Sequence, residues 1–242
     1  MNRENAIIRV FDVTRKYRLG EEIVWALQGV SLDVYEGEYL SIMGPSGSGK
    51  STLFNMIGAL DIPTTGKIEF MHEDLFALPE EKQAWIRCNK IGYIFQSYNL
   101  VMVMTALENV ALPMILRGES KAQAHKRATE ILDSVGLGHR IDHLPSQLSG
   151  GQMQRVAIAR SLANTPSVIL ADEPTGNLDS KTGEEIIMLL KRLQEEQNVT
   201  VITATHDVKM LSISDRIAWI RDGKMERLEE RANVTISTGG MG

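Results

Sequence analysis

The chain has 242 residues, of which 43% are hydrophobic and 24% charged, and a formal net charge of −5. This length is sufficient for one large domain or two small ones, with a substantial core, and the composition is that of an ordinary globular protein. Because no basic excess is available to neutralise phosphates, we expect no nucleic-acid partner. The single cysteine, Cys88, excludes an intramolecular disulfide.

The most membrane-like stretch of the sequence covers residues 101–116. It is too short to span a bilayer, and Glu108, Asn109 and Pro113 interrupt it. The N-terminal residues also lack the apolar segment of a signal peptide. We therefore expect any membrane association to pass through a partner.

The first part of the chain shows the patterns of strands and turns. Apolar residues alternate with polar ones around Ile8 and Val10, and turns are expected at Gly20, Gly29 and residues 36–37. A short apolar run at 39–43 then predicts a buried strand. Apolar residues at helical spacing follow and predict a helix from Lys50 to Leu60.

Further strand-like runs occur at 67–70, 91–95, 168–171 and 199–204. The last two are continuous apolar or β-branched runs separated by a predicted helix at 181–197. This pattern is typical of parallel strands that are covered on both faces. The sequence therefore predicts an α/β fold with a mainly parallel sheet.

Residues between 96 and 166 change to a helical pattern, with capping residues that predict three helix starts. These starts are Thr105 with Glu108, Ser120 with Gln123, and Ser149. Gly136 is expected to close the second helix, and the third is expected to end near Asn164. We interpret the block 97–165 as a helical subdomain inserted into the α/β core.

The resulting organisation is one domain over residues 1–230 followed by a flexible tail at 231–242. Within the domain, 1–96 and 166–230 are expected to form an antiparallel β subdomain and the α/β core.

The segment from Gly44 to Ser51 reads Gly-Pro-Ser-Gly-Ser-Gly-Lys-Ser and matches the spacing of a phosphate-binding P-loop. Its glycines let backbone N–H groups converge on phosphate oxygens at the positive end of the following helix. Lys50 supplies a positive charge, and the Ser51 hydroxyl can ligate Mg²⁺. The segment lies between a predicted buried strand and a predicted amphipathic helix, which strengthens the prediction of a nucleotide site.

A second chemical feature is the apolar run 168–171, which ends in two adjacent carboxylates. Asp172 at a strand terminus is placed to hold Mg²⁺, as the Walker B acid does. Successive strand residues point in opposite directions, so Glu173 can face a different volume. That position suits a base or a water-orienting group beside the γ-phosphate.

Residues 148–152 read Leu-Ser-Gly-Gly-Gln and form a second anion-binding nest without a lysine. This string is the signature of ABC ATPases, and the chain resembles that family because the string lies upstream of the Asp172 strand. Gln96 resembles the Q-loop glutamine, His206 the switch histidine, and residues 176–179 the D-loop. Together the motifs extend from Tyr17, at the position of the adenine-stacking aromatic residue, to His206.

This resemblance implies a set of roles in binding ATP and Mg²⁺. Glu173 would polarise the attacking water, Gln96 would sense metal and water, and His206 would contact the γ-phosphate. Asp172, Ser51 and Gln96 would surround the metal. The residues implied in nucleotide contact are Tyr17, Gly44, Ser46, Gly47, Ser48, Gly49, Lys50, Ser51 and Thr52, and, from a second copy of the chain, Ser149, Gly150, Gly151, Gln152 and Asp179.

The resemblance also implies an ATPase that works as a homodimer with ATP at the interface. It would drive integral membrane permease subunits, in some systems with a periplasmic adaptor, from the cytoplasmic face of the cell membrane. We interpret residues 97–104, rich in Met, Val and Leu, as the surface that meets this partner.

Within the family, strings such as Ala-Asp-Glu-Pro-Thr-Gly-Asn-Leu-Asp at 171–179 are similar to the lipoprotein-release and macrolide- or peptide-efflux branch (LolD- and MacB-like). That branch implies export, lipoprotein release or mechanotransmission. The alternatives are an FtsE-like cell-division complex, an amino-acid importer and a P-loop kinase. A soluble ABC protein acting on ribosomes or DNA fits less well, because only one P-loop and one signature occur.

Overall fold

The computed structural model describes residues 6–230, and the tail expected at 231–242 lies outside the described residues. The strands are β1 (Ala6–Leu19), β2 (Glu22–Tyr35), β3 (Tyr39–Met43), β4 (Thr65–Phe70), β5 (Glu73–Asp74), β6 (Ile91–Ile94), β7 (Val168–Asp172), β8 (Thr200–Thr205), β9 (Arg216–Arg221) and β10 (Lys224–Glu230). The helices are α1 (Lys50–Ile57), α2 (Glu80–Asn89), α3 (Ala106–Leu116), α4 (Lys121–Ser134), α5 (Gly150–Leu162) and α6 (Ser180–Gln197).

These strands form two sheets, as the sequence predicts. The first has the order β2-β1-β4-β5 with antiparallel pairing throughout. The second has the order β10-β9-β3-β8-β7-β6, in which only β10 runs antiparallel to its neighbour. The predicted α/β class with a mainly parallel sheet and an antiparallel β unit is therefore confirmed.

The parallel sheet is buried on both faces because its alternate residues enter two different hydrophobic clusters. Leu40 and Leu170 pack with α1 in one cluster, whereas Tyr39 and Ile169 pack on the other side with α5 and α6. All residues of β3 and β8 are buried. Burial of each large apolar side chain contributes about 1.5–3 kcal/mol, so the sheet is a rigid support for the loops at its carboxyl edge.

Two sequence-based boundaries were wrong. Gly29 is not a turn but lies inside β2 at φ 81, in a bulge where a Cβ would come 2.8 Å from Asp12 Oδ1. Helix α1 ends at Ile57 rather than Leu60, because Ala59 adopts φ 55 after Gly58. Periodicity alone does not report either change of backbone direction.

The helical block between β6 and β7 begins with the capping box of Thr105 and Glu108, which is confirmed at α3. At α4 only half of the expected box forms. The Ser120 hydroxyl accepts from Gln123 N, while the Gln123 side chain accepts from that hydroxyl instead of the Ser120 backbone. Helix α4 ends at Ser134, just before Gly136, and α5 ends two residues before Asn164. Within residues 6–230 no helix combines the length and apolarity needed to cross a bilayer.

A buried ion pair joins the β2–β3 turn to β9. Arg216 Nη1 donates to the Glu38 carboxylate at 3.2 and 3.3 Å, and the two residues are only 6% and 3% exposed. Burial raises the pKa of Glu38 to about 7, and the Arg216 charge opposes this rise. The pair therefore balances a desolvation cost against a close contact.

Replacing Glu38 with alanine is expected to lower the free energy of unfolding by about 3 kcal/mol, because a buried guanidinium loses its counter-charge. Denaturant unfolding measures the change. The matched control is Glu69→Ala, which removes a carboxylate from Lys67, a partner exposed to 44%. Equal losses for the two variants would contradict the importance of burial at Glu38.

Candidate active site

The P-loop lies at the carboxyl end of β3, at the centre of the parallel sheet. Residues Gly44 to Gly49 form the turn, and Lys50, Ser51 and Thr52 occupy the first turn of α1. Gly49 caps this helix at φ 104, and a Cβ there would lie 2.5 Å from the Ala26 carbonyl oxygen. The turn thus needs glycine at this position both for its backbone angle and for its close approach to β2.

Lys50 closes back over the loop that precedes it. Its Nζ donates to the carbonyl oxygens of Gly44 at 2.8 Å and Pro45 at 3.0 Å. The same Nζ lies 3.9 Å from Glu173 Oε1, and the lysine is 6% exposed. A buried ammonium group is therefore centred between the phosphate-binding turn and the acidic end of β7.

Asp172 ends β7 beside Ser51. Burial raises the pKa of Asp172, and a hydrogen bond from Ser51 opposes the rise. Its Oδ1 is buried without a hydrogen-bond partner, as is the hydroxyl oxygen of Ser48 in the P-loop. Carboxylate and hydroxyl oxygens are ligands that Mg²⁺ accepts, so the unpaired Oδ1 and the adjoining Ser51 hydroxyl fit a metal held with the phosphates.

Glu173 and His206 meet at the ends of neighbouring parallel strands. Glu173 adopts φ 48, and its backbone N–H donates to the Ala204 carbonyl oxygen at 2.8 Å. This turn aims the carboxylate at His206, whose Nδ1 lies 2.9 Å from Glu173 Oε2. The His206 side chain is 65% exposed, against 16% for Glu173. The carboxylate is therefore sheltered and oriented, while the imidazole remains accessible.

Gln96 follows β6 and contacts the segment that resembles the D-loop. Its carbonyl oxygen accepts from Asn177 Nδ2 at 2.9 Å, and its side-chain Nε2 would lie 2.7 Å from a Cβ on Gly176. A larger residue at 176 would displace the glutamine. The structure therefore brings these two predicted segments together within one chain.

The signature serine caps helix α5. Ser149 Oγ accepts from Gln152 N at 3.3 Å, and Gln152 Oε1 accepts from Ser149 N at 3.0 Å. A Cβ on Gly151 would lie 2.4 Å from Thr182 Cγ2, while Gly150 lies near Tyr98 and Leu178. The exposed Ser149 thus marks a helix N-terminus fixed against α6.

Asp179 plays the equivalent role for α6. Its Oδ1 accepts from the backbone N–H groups of Lys181 and Thr182, both at 3.1 Å. Hydrogen bonds from Thr182 hold the pKa of Asp179 below its usual range. The carboxylate is therefore a stable anion at the surface.

Tyr17 is held by two residues that the sequence analysis missed. Its hydroxyl donates to Asp61 Oδ2 at 2.7 Å, and the Arg15 guanidinium lies 4.6 Å from the centre of the ring. Arg15 also pairs with Asp61 at 2.6 Å. One face of the ring is therefore covered by a cation.

Arg160, near the end of α5, is a further residue that the sequence analysis missed. It donates to the carbonyl oxygens of Asn99 at 2.5 Å and Tyr98 at 2.8 Å. Tyr98 and Asn99 have φ values of 61 and 49, a strained conformation for residues other than glycine. Arg160 thus fixes the segment after Gln96 onto the helix that Ser149 begins.

A family model described as an ABC transporter matches residues 27–176, which include the P-loop, signature and Walker B segments. The chain belongs to the ABC transporter family. It is an ATP-binding and ATP-hydrolysing subunit of such a transporter.

The chain is 50% identical to the ABC transporter ATP-binding protein MJ0796 of Methanocaldococcus jannaschii, over 93% of this chain and 97% of that protein. A solved structure described as dimeric MJ0796 superimposes with a TM-score of 0.86 and covers 93% of this chain and 98% of the other. A second MJ0796 structure is described as a dimeric post-hydrolysis state bound to ADP and Pi.

Two further relatives fit the predicted branch. The lipoprotein-releasing system ATP-binding protein LolD of Shewanella frigidimarina is 44% identical over 92% of this chain and 93% of its own length. The macrolide export ATP-binding/permease protein MacB of Syntrophobacter fumaroxidans is 48% identical over 91% of this chain but only 31% of its own length. The resemblance inferred from the sequence motifs is therefore confirmed.

Proposed function

We propose that the chain hydrolyses MgATP in a head-to-tail homodimer, with each nucleotide held between the P-loop of one copy and the signature helix of the other. The observation that carries this proposal is the division of the site. Lys50 and Glu173 lie within one centre, whereas the hydrogen bonds of the Ser149 hydroxyl and the Asp179 carboxylate stay within their own helix starts. Those exposed N-termini suit the phosphates of a second copy.

The residues divide the chemistry as follows in this proposal. Lys50 and the P-loop amides bind the phosphates, Tyr17 stacks on the base, and Glu173 accepts a proton from the attacking water. His206 orients the carboxylate and contacts the γ-phosphate, since its Nδ1 is engaged by Glu173 and the ring is exposed. Asp179 acts across the interface.

We also propose that Mg²⁺ is held by Asp172 and Ser51, with Gln96 as a further ligand. The partnerless buried Oδ1 of Asp172 supports this assignment. The metal supplies charge stabilisation for the phosphate oxygens during transfer to water. A carboxyl group must lose its proton before it can bind a metal ion. Burial raises the pKa of Asp172, so this group takes up a proton at a higher pH than an exposed aspartate does. Metal binding is therefore expected to weaken as the pH falls.

In this proposal the chain lies at the cytoplasmic face of the membrane, and ATP hydrolysis drives a conformational change in a membrane subunit. The block 97–165 moves as a unit, because Arg160 ties the segment after Gln96 to the signature helix. Met102 and Val103 are 58% and 84% exposed, so the surface formed by residues 97–104 is available for that contact.

Complementation tests the shared site. Lys50→Ala and Ser149→Arg each disable both sites of their own homodimer, because every site needs one P-loop and one signature. A heterodimer of the two variants has one site with both defects and one intact site. An equal mixture is expected to recover about one quarter of the parental rate of phosphate release, from half the dimers with one site each. A mixture no more active than either variant alone would contradict the head-to-tail arrangement.

A further inference from the structure

The segment after the switch histidine is held in a defined conformation. Asp207 Oδ1 accepts from the backbone N–H of Lys209 at 2.9 Å and so caps the 3₁₀ helix Val208–Ser212. The Asp207 N–H in turn donates to the Thr205 hydroxyl at 3.0 Å. The Lys209 side chain therefore leaves from a short helix that is joined to His206 by a single residue.

Lys209 reaches from this helix to the start of α6. Its Nζ contacts Glu184 Oε1 at 2.7 Å and also donates to the Ser180 hydroxyl. Ser180 directly follows Asp179, the residue that caps α6. One ammonium group thus joins the segment that carries His206 to the helix whose first turn presents Asp179.

We propose that Lys209 is a positioning residue that couples the switch histidine to the D-loop of the same chain. The inference rests on the proposed function, in which His206 contacts the ATP of its own copy and Asp179 that of the other. Through the Lys209 bridge, a displacement of His206 then also displaces Asp179. Loss of the γ-phosphate at one site is thereby transmitted to the second site.

The bridge is too exposed to matter much for folding. Lys209 and Glu184 have side-chain exposures of 39% and 62%, and such surface pairs contribute little to stability. A misplacement of catalytic groups by about 1 Å nevertheless lowers a rate by up to about 10²-fold. Stability and function are therefore separable at this position.

The test uses Lys209→Ala, with Lys82→Ala as a matched control, since Lys82 pairs with Glu73 at 3.1 Å on the exposed surface. In the Glu173→Gln background, ATP-dependent dimerisation is measured by sedimentation. Lys209→Ala is expected to raise the dissociation constant of the dimer about tenfold, a change comparable to the loss of one charged hydrogen bond.

ADP affinity and the melting temperature of Lys209→Ala are expected to stay at parental values. With Glu173 intact, kcat falls while the KM for ATP changes little.

Two rescue variants separate positioning from a general effect of the substitution. Lys209→Arg restores most of the dimerisation, and so does the double swap Lys209→Glu with Glu184→Lys, because the Ser180 hydroxyl can donate to a carboxylate at 209. Parental dimerisation and kcat in Lys209→Ala, or failure of both rescues, would overturn the inference. If Glu173→Gln alone forms no ATP-dependent dimer, the proposed function fails instead.

Discussion

Replacing Glu173 with glutamine is expected to lower the rate of ATP hydrolysis by about 10²–10⁴-fold, the usual contribution of a general base. Glutamine keeps the size of the side chain but cannot accept the proton of the attacking water. The phosphate-binding turn and Lys50 are unchanged, so ATP still binds. Because the γ-phosphate persists, the variant is expected to accumulate as an ATP-bound dimer, which sedimentation in MgATP detects.

Glu69→Gln is the matched control for this variant. Glu69 pairs with Lys67 and has a side-chain exposure of 18%, close to the 16% of Glu173, but it lies on β4 in the antiparallel sheet. It is expected to hydrolyse ATP at the parental rate and to form no long-lived dimer. If Glu173→Gln also turned over at the parental rate, another group would have to be the base.

Replacing Lys50 with alanine is expected to weaken nucleotide binding itself, by about 10–100-fold in Kd, because charge-assisted hydrogen bonds to phosphate contribute roughly 1.5–3 kcal/mol. In the structure Lys50 Nζ is held by the carbonyl oxygens of Gly44 and Pro45 at the mouth of the turn. Its removal leaves the N–H groups of the loop to bind the phosphates without the positive charge of the ammonium group. Calorimetry with ATP measures the loss.

Lys67→Ala removes the same charge from the protein surface and controls for net charge. It is expected to leave ATP affinity unchanged, since Lys67 contacts Glu69 on the antiparallel sheet. An unchanged ATP affinity in Lys50→Ala would count against the P-loop assignment. If Lys67→Ala lost as much ATP affinity as Lys50→Ala, the effect would come from the overall charge of the protein.

The parts of the site that the sequence predicts are those whose chemistry is contiguous along the chain. The P-loop from Gly44 to Ser51 contains its own glycines, lysine and hydroxyl. Asp172 and Glu173 follow a short apolar run of the kind that predicts a buried parallel strand. Ser149 caps its helix through Gln152, a contact that spans only three residues. Local patterns are therefore sufficient for these elements.

The contacts that hold these parts together were not predictable, because they join residues far apart in sequence. Arg160 binds Asn99 across 61 positions, and Tyr17 binds Asp61 across 44. An arginine inside an amphipathic helix gives no sign of the strained turn that it holds. Helix α2 was also missed, since only Ile86 of its residues is buried and no apolar stripe marks it.

The most direct test of the account is a crystal structure of the Glu173→Gln variant with MgATP. We predict a dimer in which Ser149 Oγ of one copy lies within hydrogen-bond distance of the γ-phosphate bound by Lys50 of the other. A structure in which both triphosphates are bound while neither Ser149 approaches one would contradict the shared site and leave only nucleotide binding by a single copy.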